Sequence, residues 1–87
     1  MVTERTAIVA AAVGLHARPA ALFCEAVART GVPVRIRNAD GKTVDAASIL
    51  GILTLGVGHG GRVVLEGDDE AVLDALVVLL QTDLDKL

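Results

Sequence analysis

From Pro19 onward the apolar positions Pro19, Leu22, Phe23, Ala26 and Val27 recur at i, i+3, i+4, i+7 and i+8. This is the stripe of a helix that buries one side and wets the other, so the chain must supply a layer to cover it. Proline is tolerated in a first helical turn, where the N–H it lacks would have no intrahelical acceptor. That places Pro19 just inside the helix and His16 at or near its N-cap. The amides of Ala17 and Arg18 then lie in the first turn, at the positive end of the helix dipole. Together with the Arg18 guanidinium they make an anion site suited to phosphate oxygens. An imidazole beside such a site can be a general base, an electrostatic donor or a nucleophile that itself takes up a phosphoryl group. No serine, cysteine or second histidine lies within residues 14–23 to be activated, and no carboxylate stands there to orient the ring. The nucleophile is the economical reading.

The rest of the chain supplies the covering layer. Residues 3–10 read as a strand, followed by a loop that delivers His16. Helix one is expected over 17–29, ending at Thr30-Gly31 with glycine as its C-terminal cap. Val32, Val34 and Ile36 alternate with Pro33, Arg35 and Arg37 as a strand with one apolar face. Asn38-Ala39-Asp40-Gly41 turns into a short strand through Lys42, Thr43 and Val44. Ser48 precedes the apolar run Ile49-Leu50-Gly51-Ile52-Leu53 and can cap a short second helix. That helix runs into the glycine-rich connector 56–61. Residues 62–66 alternate as a fourth strand, and Asp68 is expected to cap a last helix striped by Val72, Leu73, Leu76, Leu79, Leu80 and Leu84. The order is β-α-β-β-α-β-α, read as one domain of the α+β class over residues 1–87.

Composition narrows what such a domain does. Hydrophobic residues make up 53% of the chain but aromatics only 1%. Phe23 is therefore the one aromatic in a core of Val, Ile, Leu and Ala, and base stacking on single-stranded nucleic acid is excluded. Residues 5–62 carry seven basic and three acidic side chains, a local sum of +4. Residues 63–87 carry one basic and seven acidic, a sum of −6. The mildly basic region around His16 suits an anion or an acidic protein partner, and the acidic end disfavours DNA and anionic membrane. Cys24 stands alone, so neither an intramolecular disulfide nor a thiolate metal cluster is available. Apolar runs fall short of a bilayer span and no signal peptide opens the chain, so a soluble, unprocessed, cytoplasmic protein is expected.

Gly14-Leu15-His16-Ala17-Arg18-Pro19-Ala20 closely resembles the active-site signature of HPr, the histidine phosphocarrier family of the bacterial phosphoenolpyruvate:sugar phosphotransferase system. Asp45-Ala46-Ala47-Ser48-Ile49-Leu50-Gly51-Ile52-Leu53-Thr54-Leu55-Gly56 is similar to the family's second signature, around its regulatory serine. Gly67-Asp68-Asp69-Glu70 opening an apolar helix resembles its C-terminal end. The resemblance implies an α+β open-faced β-sandwich, a four-stranded, mainly antiparallel sheet with the long helices stacked on one face. It implies His16 as phosphoryl acceptor through its pros nitrogen and Arg18, with the amides of Ala17 and Arg18, as the phosphate holder. Ile49, Leu50 and Leu53 become a docking patch beside the histidine. The partners implied are enzyme I as donor and a sugar-specific enzyme IIA as acceptor. The chain is then a relay that does not turn over alone, monomeric and without metal, cofactor, nucleic acid or membrane insertion. An alternative is an HPr-like regulatory module whose phosphorylation state controls binding to a transcription regulator or kinase. An HPr-like subunit of a nitrogen-related chain or a dihydroxyacetone kinase differs only in partners.

Several positions also carry plainer readings. His59 stands in a glycine-rich loop and reads as a solvated loop residue; with His16 it makes a poor metal site. The glycines of 56–61 lack the lysine and hydroxyl of a phosphate-cradling loop and read as turn formers. Ser48 is first of all a helix cap, and the resemblance adds phosphorylation by an HPr kinase/phosphorylase. Ile49, Leu50, Ile52 and Leu53 cannot all face inward on so short a helix, so apolar surface is expected there. Where some relatives carry lysines on helix one this chain has Glu25 and Ala28, and Val13 is bulkier than the small or polar residue expected before the active-site glycine.

Overall fold

The computed structural model describes residues 2–86. It holds β1 (Thr3–Ile8), α1 (Ala17–Thr30), β2 (Val34–Asn38), β3 (Thr43–Asp45), α2 (Ile49–Thr54), β4 (Arg62–Gly67) and α3 (Glu70–Leu80), then a 3-10 turn at Leu84–Lys86. The element order is the one expected. The strands lie in the order β1-β4-β2-β3, with every pairing antiparallel. Alternation decides which face is covered. Ala7, Val34, Ile36, Val63 and Leu65 point into the core, while Glu4, Thr6 and Arg35 are exposed on the open face. Arg37 reaches both Glu4 and Glu66 there, tying β2 to the two strands beyond it.

The helices bury their stripes against the covered face and one another. In α1 the buried residues are Pro19, Ala20, Phe23, Cys24 and Val27, while Leu22 and Ala26 are only partly buried. The stripe is thus centred one position round from the expected one, and Cys24 is a core residue. Burial, and then the nearby Asp45 charge, push its thiol up from the ordinary value. Gly31 ends the helix at φ +68, its N–H donating to Ala28 O.

The last helix differs from expectation at both ends. Asp69 caps it in place of Asp68: its Oδ1 accepts the Val72 N–H at 3.1 Å. This choice leaves Glu70 in the first turn, where its charge favours the dipole. The helix also stops at Leu80, and Leu84 is fully buried from the separate 3-10 turn. Thr82 donates its hydroxyl to Val78 O and Asp83 Oδ1 accepts the Asp85 N–H, side-chain bonds that compete with continued helix. Two strands are also trimmed against expectation: β1 leaves the ladder after Ile8, and β2 begins at Val34 rather than Val32.

Beyond β1 the chain is held between two neighbours. On one side the Val9 N–H donates to Gly61 O, the Gly60 N–H to Val9 O and the Leu15 N–H to Val57 O, all within 2.9 Å. On the other the Ala10 N–H donates to Leu80 O, the Ile8 N–H to Gln81 Oε1 and the Val13 N–H to Asp85 Oδ2. The glycine-rich segment is thus a wall of the loop that delivers His16, and more than a connector.

Gly14 sits at the closest point of that packing, at φ +74, where a Cβ would fall 2.4 Å from Val57 O and 2.6 Å from Gly58 Cα. Gly31 has a similar φ of +68 but open space around the same position. Gly14→Ala should therefore cost both the left-handed penalty and the steric one, about 2–3 kcal/mol or more, whereas Gly31→Ala should cost about 1 kcal/mol. In thermal unfolding that separates the two variants by roughly 5–15 °C in Tm. Equal losses would show that the two loops move apart without cost.

Candidate functional site

Leu15 is fully buried and His16, the next residue, is exposed. The alternation anchors the chain on one side of His16, and α1 holds it on the other. His16 is the N-cap of α1, with extended backbone at φ −125 and ψ 158, and its side chain makes no capping hydrogen bond. The ring is therefore not committed to holding the helix. Ala17, the first helical residue, has φ +45. For an alanine that left-handed conformation costs about 1–2 kcal/mol, held in place by the packing on both sides.

Arg18 is exposed in the first turn of α1, and that turn contains no acidic residue. The first-turn amides and the arginine thus present positive potential at one helix end. In α3, by contrast, Asp69 and Glu70 meet the dipole with carboxylates. An anion seated at α1 would supply the missing negative charge. Two surface depressions, of about 150 and 180 Å³, are lined by residues such as Asn38, Leu55 and Arg62, and by Pro33, Arg35 and Glu66. His16 lines neither. Among the described residues no group of three or more His, Cys, Asp or Glu could hold a metal ion, and no helix is long and apolar enough to cross a membrane.

Ser48 caps α2, its Oγ accepting the Gly51 N–H at 3.1 Å from a half-buried position. The preceding turn is closed by Asp45, whose carbonyl accepts the Ser48 N–H and whose Oδ1 accepts the Ala47 N–H. Ile52 is fully buried, while Ile49, Leu50 and Leu53 are 40%, 74% and 37% exposed. One of the four apolar residues thus anchors the helix and three form surface, as the circumference argument requires. Helix α2 packs against α1 and β3.

His59 is exposed in its loop, as expected, but it also makes a contact. Its Nδ1 lies 3.3 Å from Ala11 O, on the turn that precedes His16. Neither this contact nor the one from Asp85 is signalled locally, because their partners lie 48 and 72 residues away.

A family model described as the PTS HPr component phosphorylation site matches residues 3–82. The phosphocarrier protein HPr of Streptomyces coelicolor is 47% identical over 87 residues, covering 97% of this chain and 94% of that one. A crystal structure of HPr from Bacillus anthracis superposes with a TM-score of 0.86 at 36% identity, over 92% of this chain and 98% of the other. The crystal structure of Crh, a catabolite repression protein of Bacillus subtilis described as a swapped dimer, gives a TM-score of 0.70 at 38% identity, over 82% and 84% of the two chains. Matched over nearly its full length by family model, sequence relative and structure alike, the chain belongs to the HPr family of phosphocarrier proteins of the phosphotransferase system.

Proposed function

We propose that His16 accepts a phosphoryl group from phosphorylated enzyme I and passes it to a sugar-specific enzyme IIA in the cytoplasm. The observation that carries this reading is an exposed imidazole at a helix N-terminus, released from capping and next to an arginine in a first turn without acids. The neutral imidazole attacks the phosphorus of the donor phosphohistidine nearly in line. As the new N–P bond forms at the pros nitrogen of His16, the donor N–P bond breaks and the donor imidazole leaves. One imidazole replaces the other, so no water or other co-reactant enters. The amides of Ala17 and Arg18, with the Arg18 guanidinium, hold the transferring oxygens. A nucleophile on open surface, lining neither depression, suits a macromolecular donor that brings its own walls. Ile49, Leu50 and Leu53 supply a small apolar patch for weak docking, and weak docking suits a relay because it keeps release fast.

A second reading is supported by the likeness to the Bacillus subtilis catabolite repression protein and by the cap at Ser48. In it, phosphorylation of Ser48 by an HPr kinase/phosphorylase sets binding to a transcription regulator. The relay reading takes the chain as a monomer.

Incubation with phosphoenolpyruvate and enzyme I should label His16 with phosphate that is acid-labile and alkali-stable, as a phosphoramidate is. His16→Ala should abolish labelling while Tm stays within about 3 °C of the parent, because the side chain is exposed and bonds no backbone group of the helix. An acid-stable adduct as the sole product would defeat the relay reading.

Leu50→Asp removes the most exposed apolar contact of α2 and adds a charge facing an acidic partner. Phosphorylation by enzyme I should fall about tenfold, equivalent to about 1.4 kcal/mol, while small phosphoryl donors still label His16 at the parental rate. Equal loss with both donors would place the damage in the fold or at the histidine.

Ser48→Asp should keep the cap, since aspartate accepts an N-cap hydrogen bond as well as serine does, and so leave Tm nearly unchanged. It should slow His16 phosphorylation most at low ionic strength, where repulsion is least screened. Ser48→Ala should lose about 1 kcal/mol of stability and keep the rate. A parental rate for Ser48→Asp at low salt would leave Ser48 as a cap alone.

A further inference from the structure

We propose that His59 is a positioning residue for His16, gripping from the glycine-rich loop the turn that delivers the nucleophile. The inference rests on the reading of His16 as phosphoryl acceptor. Ala11 O already accepts the Gly14 N–H at 2.9 Å, the bond that closes the turn. Nδ1 of His59 approaches the same oxygen at 3.3 Å. A carbonyl oxygen has two lone pairs, so it can accept both, and the ring donates when Nδ1 carries the proton.

The need for such a grip follows from what surrounds it. Backbone bonds hold Val9 and Ala10 before the turn and Leu15 after it. Ala12 and Val13 between them are exposed. From the C-terminal side that turn is held by Asp85, which accepts the Val13 N–H. From the opposite side the segment 58–61 offers three glycines and one side chain, that of His59. Glycine backbone loses more conformational freedom on ordering than any other residue, so a ring anchored on Ala11 O restricts both the loop and the turn. Ala11 lies five residues before His16. Freedom gained there passes through Gly14 to the nucleophile, and small misplacements of a reacting group are costly in rate. Stability should be nearly indifferent, because the close packing at Gly14 and the buried Leu15 are made without His59.

The test compares the full-length parent with His59→Ala and His59→Gln, since glutamine retains an N–H donor on a flexible side chain. Three quantities are measured: amide hydrogen exchange at Gly14 and Leu15, the rate of His16 phosphorylation by enzyme I with phosphoenolpyruvate, and Tm. For His59→Ala we expect exchange to speed up and phosphorylation to slow, each by about three- to tenfold, with Tm within about 3 °C of the parent. His59→Gln should recover most of both. Parental exchange at Gly14 in His59→Ala would show that there is no grip. A parental phosphorylation rate despite faster exchange would show a contact that positions nothing. Loss of rate together with Tm, unrecovered by glutamine, would reduce the contact to a structural one. Each of these overturns the proposal. A parent protein that takes no phosphoryl group from this donor overturns the acceptor reading itself, and the positioning role with it, whatever the exchange rates.

Discussion

Between Gly14 and the Val57–Gly58 backbone there is no room for a methyl group, and the geometry of the site descends from that approach. It lets the Leu15 N–H bond Val57 O and seats the Leu15 side chain fully in the core. With Leu15 fixed, the chain has one residue in which to pass from the interior to the start of α1, and that residue is His16. The positive φ of Ala17 is the strain of making the passage so short. A side chain placed this way is exposed while its backbone is anchored, since a buried residue precedes it and a helix follows it.

The elements were legible because their signals are local and repetitive. Alternation along β2 and β4 and the 3.6-residue stripes of α1 and α3 need no long-range knowledge. Element ends were less so. Asp68 and Asp69 are both good caps, and only the packing of Leu73, Leu76 and Leu80 decides which phase the helix takes. The stripe that seemed to reach Leu84 is two pieces, because Thr82 and Asp83 spend side-chain bonds on the backbone between them. The site divides the same way. His16, Arg18 and Pro19 are readable because a helix start is a local event. The contacts from His59 and Asp85 to the same loop are set by topology, which brings the β4 side and the C-terminus to one turn.

Charge shows how a linear sum misleads. Of the basic residues behind the local +4, Arg5 is bonded to Glu70 and Asp74 of α3, Arg29 to Glu25, and Arg37 to Glu4 and Glu66. Ion pairs at the surface contribute little to stability. Their larger effect is to cancel fields that the sequence appeared to leave open, partly with carboxylates from the acidic end itself. The region's net charge is therefore a poor guide to the local potential beside His16, where the start of α1 is the nearest oriented dipole.

Helix α2 makes the complementary point about apolar surface. Six residues are too few to form a helix by propensity, so α2 exists because Ile52 is buried and because Asp45 and Ser48 close its first turn. Gly51 fits the arrangement: a Cβ there would crowd Val44 and the Ser48 side chain at 3.1–3.3 Å. None of this uses Leu50, which folding leaves 74% exposed. Stability accounts for the inward side of the helix and leaves the outward one unconstrained by folding. The cap and the exposed side chains share one short element, so charge added at Ser48 acts on that surface while Ile52 keeps the helix in place.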